Sequence, residues 1–273
     1  MPRLTVGTSG RHDIELYYED HGEGRPVVLI HGWPLSGKSW ENQVGPLVDA
    51  GYRVVTYDRR GFGESSKPYD GYDYDTFAAD LEALLDHLDL RDATLVGFSM
   101  GGGEVARYLG TYGSDRVRSA VLAGAVTPAL KAEDGGAADQ ATIQGMLDGV
   151  SGDRLAFLEG FFRHFFGADG TPAVSDAMLH FAWQLASVAS PKGTADCITA
   201  FSTTDFRPDL QKIDVPILVL HGDKDVIVPF EASGKRVPQF ATDVQTVVVE
   251  GGPHGFNASH PRQFNEALLA FLA

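Results

Sequence analysis

The chain has 273 residues, of which 43% are apolar and 22% charged, a globular composition long enough to bury the core of one large α/β domain. Asp and Glu number 37 against 22 Lys and Arg, and a formal charge of −15 disfavours phosphate backbones and anionic lipid headgroups as partners. The one cysteine, Cys197, excludes an intrachain disulfide and a Cys-based zinc or iron–sulfur site. The opening "MPRLTVGTSGRHD" lacks the apolar core of a signal peptide, and no run approaches the roughly 20 apolar residues that span a bilayer. The expectation is a cytoplasmic protein that engages neither nucleic acid nor membrane.

Short β-rich runs recur along the chain. "LTVG" (4–7) comes first, followed by "IELYYEDHG" (14–22), whose alternating polarity suits a strand with one exposed face. "PVVLIHG" (26–32) and "YRVVTYD" (52–58) are more continuously apolar, as strands covered on both faces are. A helical stripe of Phe77, Leu81, Leu84, Leu85 and Leu88 occupies 75–90. "ATLVGFS" (93–99) then leads directly into the helical "GGEVARYLGTYG" (102–113), and "SAVLAGA" (119–125) follows. Strand-like runs stop between about 127 and 207, where "ATIQGMLDGV", "RLAFLEGFFRHFFG", "DAMLHFAWQLASV" and "GTADCITAFSTTDF" predict helices rich in aromatic residues. "PILVLHG" (216–222) and "QTVVVEGG" (245–252) resume the strands, and "QFNEALLAFLA" closes the chain as a helix started by Pro261. The alternation predicts a mostly parallel, eight-stranded, doubly wound sheet with helices on both faces. The core is expected in 1–126 and 208–273, with 127–207 a helical cap over the ligand-binding edge of the sheet.

Gly97-Phe98-Ser99-Met100-Gly101 lies where a buried strand becomes a helix, the setting of a nucleophile elbow. Small residues two before and two after the serine let strand and helix approach closely. A serine hydroxyl needs a base, and the base an orienting acid. In chain order the candidates are Asp223 and Asp225, just after one strand, and His254, in a glycine-rich turn after the next. Asp225 is favoured over Asp223 because it lies further into the loop and can reach across to His254. Asp223 is then expected to stabilise the turn, His260 to help start the last helix, and His31 and His221 to make structural hydrogen bonds. Oxyanion donors are expected from the backbone N–H groups of Met100 and of Trp33, in "LIHGWPLSG". Phe161, Phe162, Phe165, Phe166, Phe181 and Trp183 either line the pocket or pack the cap helices together. Pro34, Phe162 and Trp183 are taken as substrate-pocket candidates.

"HGWPLSG", "YDRRGFGESS", "GFSMGGGEVARY", "TAFSTTDF", "HGDKD" and "GGPHGFNASH" resemble the cofactor-free bacterial haloperoxidases of the α/β-hydrolase superfamily, along essentially the whole chain. These non-haem chloroperoxidases and bromoperoxidases overlap with aryl esterases and perhydrolases. The resemblance implies Ser99 as nucleophile, Asp225 as acid, His254 as base, and Trp33 and Met100 as oxyanion donors. It implies ester hydrolysis and perhydrolysis with no cofactor or metal: a carboxylic acid or ester acylates the serine, hydrogen peroxide replaces water, and the released peracid oxidises halide. Pro34 matches members associated with perhydrolysis. The resemblance also extends to homo-oligomers, which the family often forms. Segment 131–140 in the cap departs from the family pattern. Two alternatives remain open: a lactonase or amidase acting on small rings, and a non-catalytic ligand receptor on the same fold. Haloalkane dehalogenase and epoxide hydrolase chemistry would need an aspartate where Ser99 stands.

Overall fold

A computed structural model describes residues 2–273. Eight strands form one sheet: β1 (Arg3–Ser9), β2 (His12–His21), β3 (Arg25–Ile30), β4 (Tyr52–Tyr57), β5 (Ala93–Phe98), β6 (Val117–Ala123), β7 (Ile217–Gly222) and β8 (Val244–Val249). Their order is β1-β2-β4-β3-β5-β6-β7-β8. Only β2 runs antiparallel to its neighbours, and every pair from β4 to β8 is parallel. All six residues of β5 and of β7 are buried, which explains their unbroken apolar runs. Outer strand β8 is largely uncovered instead and leaves Val248 exposed.

Helix α1 (Glu41–Asp49) and the closing helix, Pro261–Leu272, pack together, while α2 (Tyr74–His87) packs on α3 (Met100–Tyr112). The apolar stripe forecast for α2 is its buried face, and the Asp73 carboxylate caps its first turn by accepting the Thr76 N–H at 2.9 Å. Between β6 and β7 lie α4 (Gln140–Ser151), α5 (Arg154–Phe165), α6 (Asp176–Ser187) and α7 (Pro191–Thr203), then the short α8 (Arg207–Leu210). Helix α1 has no readable period in the sequence, because it carries Pro46 in its interior and a mixed surface. Nor does the strand-helix alternation hold between β7 and β8: only two 3-10 segments, Phe230–Ala232 and Gly234–Gln239, connect them. After β8 the chain turns through 250–255 into α9 (Phe256–Ser259) and then α10, the closing helix.

Register fixes where the chemistry gathers. Ile30 pairs with Gly97, and Gly97 with Leu122, so β3, β5 and β6 end almost level. Leu122 pairs with Val219, and Val219 with Thr246, which carries the same edge across to β7 and β8. The segments that follow β3, β5, β7 and β8 therefore emerge at one rim, under the cap helices. No helix among the described residues is long and apolar enough to cross a membrane.

Candidate active site

Ser99 stands between β5 and α3 with φ +54° and ψ −117°, a strained backbone for a residue with a side chain. Glycines around it let the turn close. A Cβ at Gly97 would lie 2.3 Å from the Gly101 carbonyl oxygen, and one at Gly101 would lie 2.4 Å from the Ile30 carbonyl oxygen. Gly102 and Gly103 meet Ala125 and the Phe206 and Tyr74 rings in the same way. Gly97, Gly101 and Gly102 thus serve close approach of helix to sheet and Gly103 that of α3 to its neighbouring helices, while the positive φ belongs to the serine instead.

The sequence candidates converge here. His254 Nε2 is 2.9 Å from Ser99 Oγ, and His254 Nδ1 is 2.7 Å from Asp225 Oδ2. Both side chains are buried. The imidazole is held between the Phe98 and Phe165 rings, with centroids at 5.1 and 5.0 Å. Asp225 Oδ1 accepts the N–H groups of Ile227 and Val228 at 2.9 and 2.8 Å, which fixes the carboxylate in its loop. Burial pushes this carboxyl up, but the His254 charge and hydrogen bonds from His221 and His254 outweigh it and bring the pKa to about 2. The acid is therefore an anion at neutral pH, able to orient an imidazole and to stabilise an imidazolium.

Asp223 takes the other role expected of it: its carboxylate accepts the Gly251 N–H at 2.7 Å, binding the β7 loop to the loop that carries His254. His260 occupies the N-terminal boundary of α10, with its Nδ1 2.9 Å from the Ser259 hydroxyl. His221 does more than end a strand. Its Nε2–H donates to the Val228 carbonyl at 2.8 Å and lies 3.3 Å from Asp225 Oδ2, so it supports the acid from behind. Nothing in the sequence distinguishes this contact from an ordinary strand-end hydrogen bond.

Met100 is the first residue of α3, so its N–H has no acceptor within the helix, and the helix N-terminus favours negative charge there. Across from it runs the loop after β3. A Cβ at Gly32 would lie 3.1 Å from Ser99 Cβ, which brings the Gly32–Trp33 peptide against the elbow. A buried network holds that loop. His31 Nδ1–H donates to the Gly32 carbonyl at 2.9 Å, and its Nε2 accepts the Arg59 N–H at 3.0 Å. Arg59 also donates to the His31 carbonyl at 3.0 Å and pairs at 2.6 Å with Glu104, on α3. Burial and the neighbouring Arg59 charge hold His31 well below the usual imidazole range, so it stays neutral. One ion pair thus ties the elbow helix to the loop opposite.

Ser99 and His254 open into a cavity of about 50 Å³, walled mainly by Trp33, Val126, Leu130, Met146, Phe161 and Phe201. Two pocket candidates from the sequence lie elsewhere. Phe162 and Trp183 line a separate outer cleft of about 370 Å³ between α5 and α6, with Glu159 and Arg163. The reason is helical rotation: adjacent residues are turned by about 100°, so Phe161 faces the cavity and Phe162 does not. Trp183 is fixed outside by its Nε1–H, which donates to the Leu155 carbonyl at 3.0 Å, and by stacking on His180. Pro34 is buried but forms no part of the cavity wall. The Trp33 indole fills that side, anchored to the cap by its Nε1–H bond to the Thr194 carbonyl at 3.0 Å.

A buried serine, imidazole and carboxylate in line at the rim of this sheet define a hydrolase of the α/β type. Residues 25–261 match the family model described as alpha/beta hydrolase fold. The chain is 44% identical to a non-heme chloroperoxidase from Kitasatospora aureofaciens, over 100% of this chain and 99% of that protein. It is 35% identical to a bifunctional esterase/perhydrolase from Acinetobacter calcoaceticus, covering 95% and 96% of the two chains. It also superposes on the crystal structure of a bromoperoxidase from Bacillus anthracis with a TM-score of 0.96 and 57% identity, covering 99% of each chain. The chain belongs to the α/β-hydrolase family and, within it, to the non-haem haloperoxidases.

Proposed function

We propose that the protein is a serine esterase and perhydrolase that makes peracids from short carboxylic acids or esters and hydrogen peroxide, and oxidises halide through them. The observation that carries this reading is the Ser99–His254–Asp225 alignment, 2.9 and 2.7 Å, opening into a small apolar cavity. Ser99 Oγ attacks the acyl carbon while His254 Nε2 takes its proton and Asp225 steadies the imidazolium. The N–H groups of Trp33 and Met100 receive the oxyanion. His254 returns the proton to the leaving group, and the acyl group stays on Ser99. Hydrogen peroxide, deprotonated by His254, then attacks the acyl-enzyme. The ester bond to Ser99 breaks, the proton returns to Ser99, and a peroxycarboxylic acid leaves. Water in the same place gives simple hydrolysis. In solution the peracid passes its terminal OH to bromide or chloride as the O–O bond breaks, giving hypohalous acid and the parent carboxylate.

The names of the relatives support peroxide as acyl acceptor over plain esterase chemistry. The cavity supports a small acyl group: about 50 Å³ is far below the roughly 300–1,000 Å³ of sites for drug-sized ligands. A cytoplasmic location fits the single buried cysteine. Peroxide and bromide supplied with a halogenation dye test the reading. Bromination should require acetate or another short carboxylate and vanish in a non-carboxylate buffer. Bromination that ignores the carboxylate would rule out a peracid intermediate.

A further inference from the structure

The chain has four methionines, and Met1 lies outside the described residues. Met100 is fully buried and absent from any cavity wall described above. Met146 and Met178 are both half-buried, yet they differ in where they sit. Met146, on α4, shares the cavity wall with Ser99 and His254. Met178, on α6, lines a different depression with Phe166 and Phe181. Cys197 is fully buried and is not part of the cavity wall. The wall also holds the Trp33 indole, which a peracid attacks more slowly than a thioether.

From this placement we propose that Met146 is a self-oxidation site, converted to its sulfoxide by the peracid formed on Ser99 before that peracid leaves. The proposal rests on the perhydrolase reading above. The terminal oxygen of the peroxycarboxylic acid passes to the thioether sulfur. The O–O bond breaks, a sulfur–oxygen bond forms, and the peroxy proton ends on the carboxylate, releasing the parent acid. Sulfur is oxidised by two electrons and the peracid is reduced by two. A thioether in the wall of a 50 Å³ cavity meets each peracid at the moment of its formation, an advantage of proximity that a methionine elsewhere lacks. The product is a polar, chiral side chain where the acyl group binds among apolar ones, so oxidation lowers activity with use and a sulfoxide reductase can restore it.

Peptide mass spectrometry after turnover tests this, with the ratio of Met146 to Met178 sulfoxide as the readout. Wild type receives acetate and peroxide, with bromination of a dye followed in the same tube. Ser99→Ala receives preformed peracetic acid and sets the ratio for oxidant arriving from bulk solution. The ratio should be roughly tenfold or more higher in the wild-type turnover than in that reference. Met146→Leu should hold its own initial bromination rate several times longer than wild type holds its own. Equal ratios while bromination proceeds would overturn the self-oxidation and leave the perhydrolase reading standing. Absence of acetate-dependent bromination would overturn both.

Discussion

Asp225 is the residue at which several forces can be weighed. Full burial alone would favour a neutral carboxyl, yet His254, His221 and two backbone N–H groups surround it and its pKa falls to about 2. Asp225→Asn should preserve the fold but cut kcat by about 10⁴, because the imidazole loses its orienting anion. Asp223→Asn, whose amide oxygen can still accept the Gly251 N–H, should keep most of the activity. Steady-state ester hydrolysis by the two variants distinguishes these roles, and the reverse pattern would reassign the acid. The lowered pKa also sets a direction for stability. A carboxyl depressed from 3.8 to about 2 stabilises the fold fully above its ordinary value and loses that contribution as pH falls through the folded value. The advantage of wild type over Asp225→Asn in denaturant unfolding should therefore shrink by on the order of 2 kcal/mol between about pH 4 and pH 2.

Among the elements, the elbow shows what glycine is for. At Gly101 an added methyl would collide with the Ile30 carbonyl, a backbone atom that can move only if β3 moves. Gly101→Ala should destabilise by about 1–3 kcal/mol or more and should lower activity with it. Gly160, inside α5, has nothing within 4 Å of its added Cβ and no proline after it. There Gly160→Ala should stabilise by about 0.5–1 kcal/mol, since chiefly backbone entropy is at stake. Thermal unfolding of the two variants should shift in opposite directions. The inner strands were legible because burial on both faces writes long apolar runs bounded by glycine, aspartate or histidine, as in "PILVLHG", whereas the exposed outer strands β1 and β8 were legible only as short β-branched runs. The helix α1 was not, since Pro46 and a mixed surface hide its period. The rim residues Ser99, Asp225 and His254 were legible because the turns that hold them have demanding chemistry. The cavity wall was not: Phe161 and Phe162 are adjacent in sequence, and only packing against the cap decides which one faces Ser99.

For the molecule as a whole, the cap and the sheet close over a small space. Trp33 joins them through its bond to Thr194 and its edge contacts with Phe161 and Phe201. Such a cavity should select by size. Across a series of p-nitrophenyl esters, kcat/KM should be greatest for acetate or propionate and fall steeply with longer acyl chains, whereas a flat profile would mean that the cap opens widely in solution. The central claim is that one serine carries both activities. It is tested most directly by measuring p-nitrophenyl acetate hydrolysis and acetate-dependent bromination side by side in wild type and Ser99→Ala. Both rates should fall together by about 10³-fold or more in the variant. Bromination that survives the loss of the hydroxyl while ester hydrolysis disappears would contradict it.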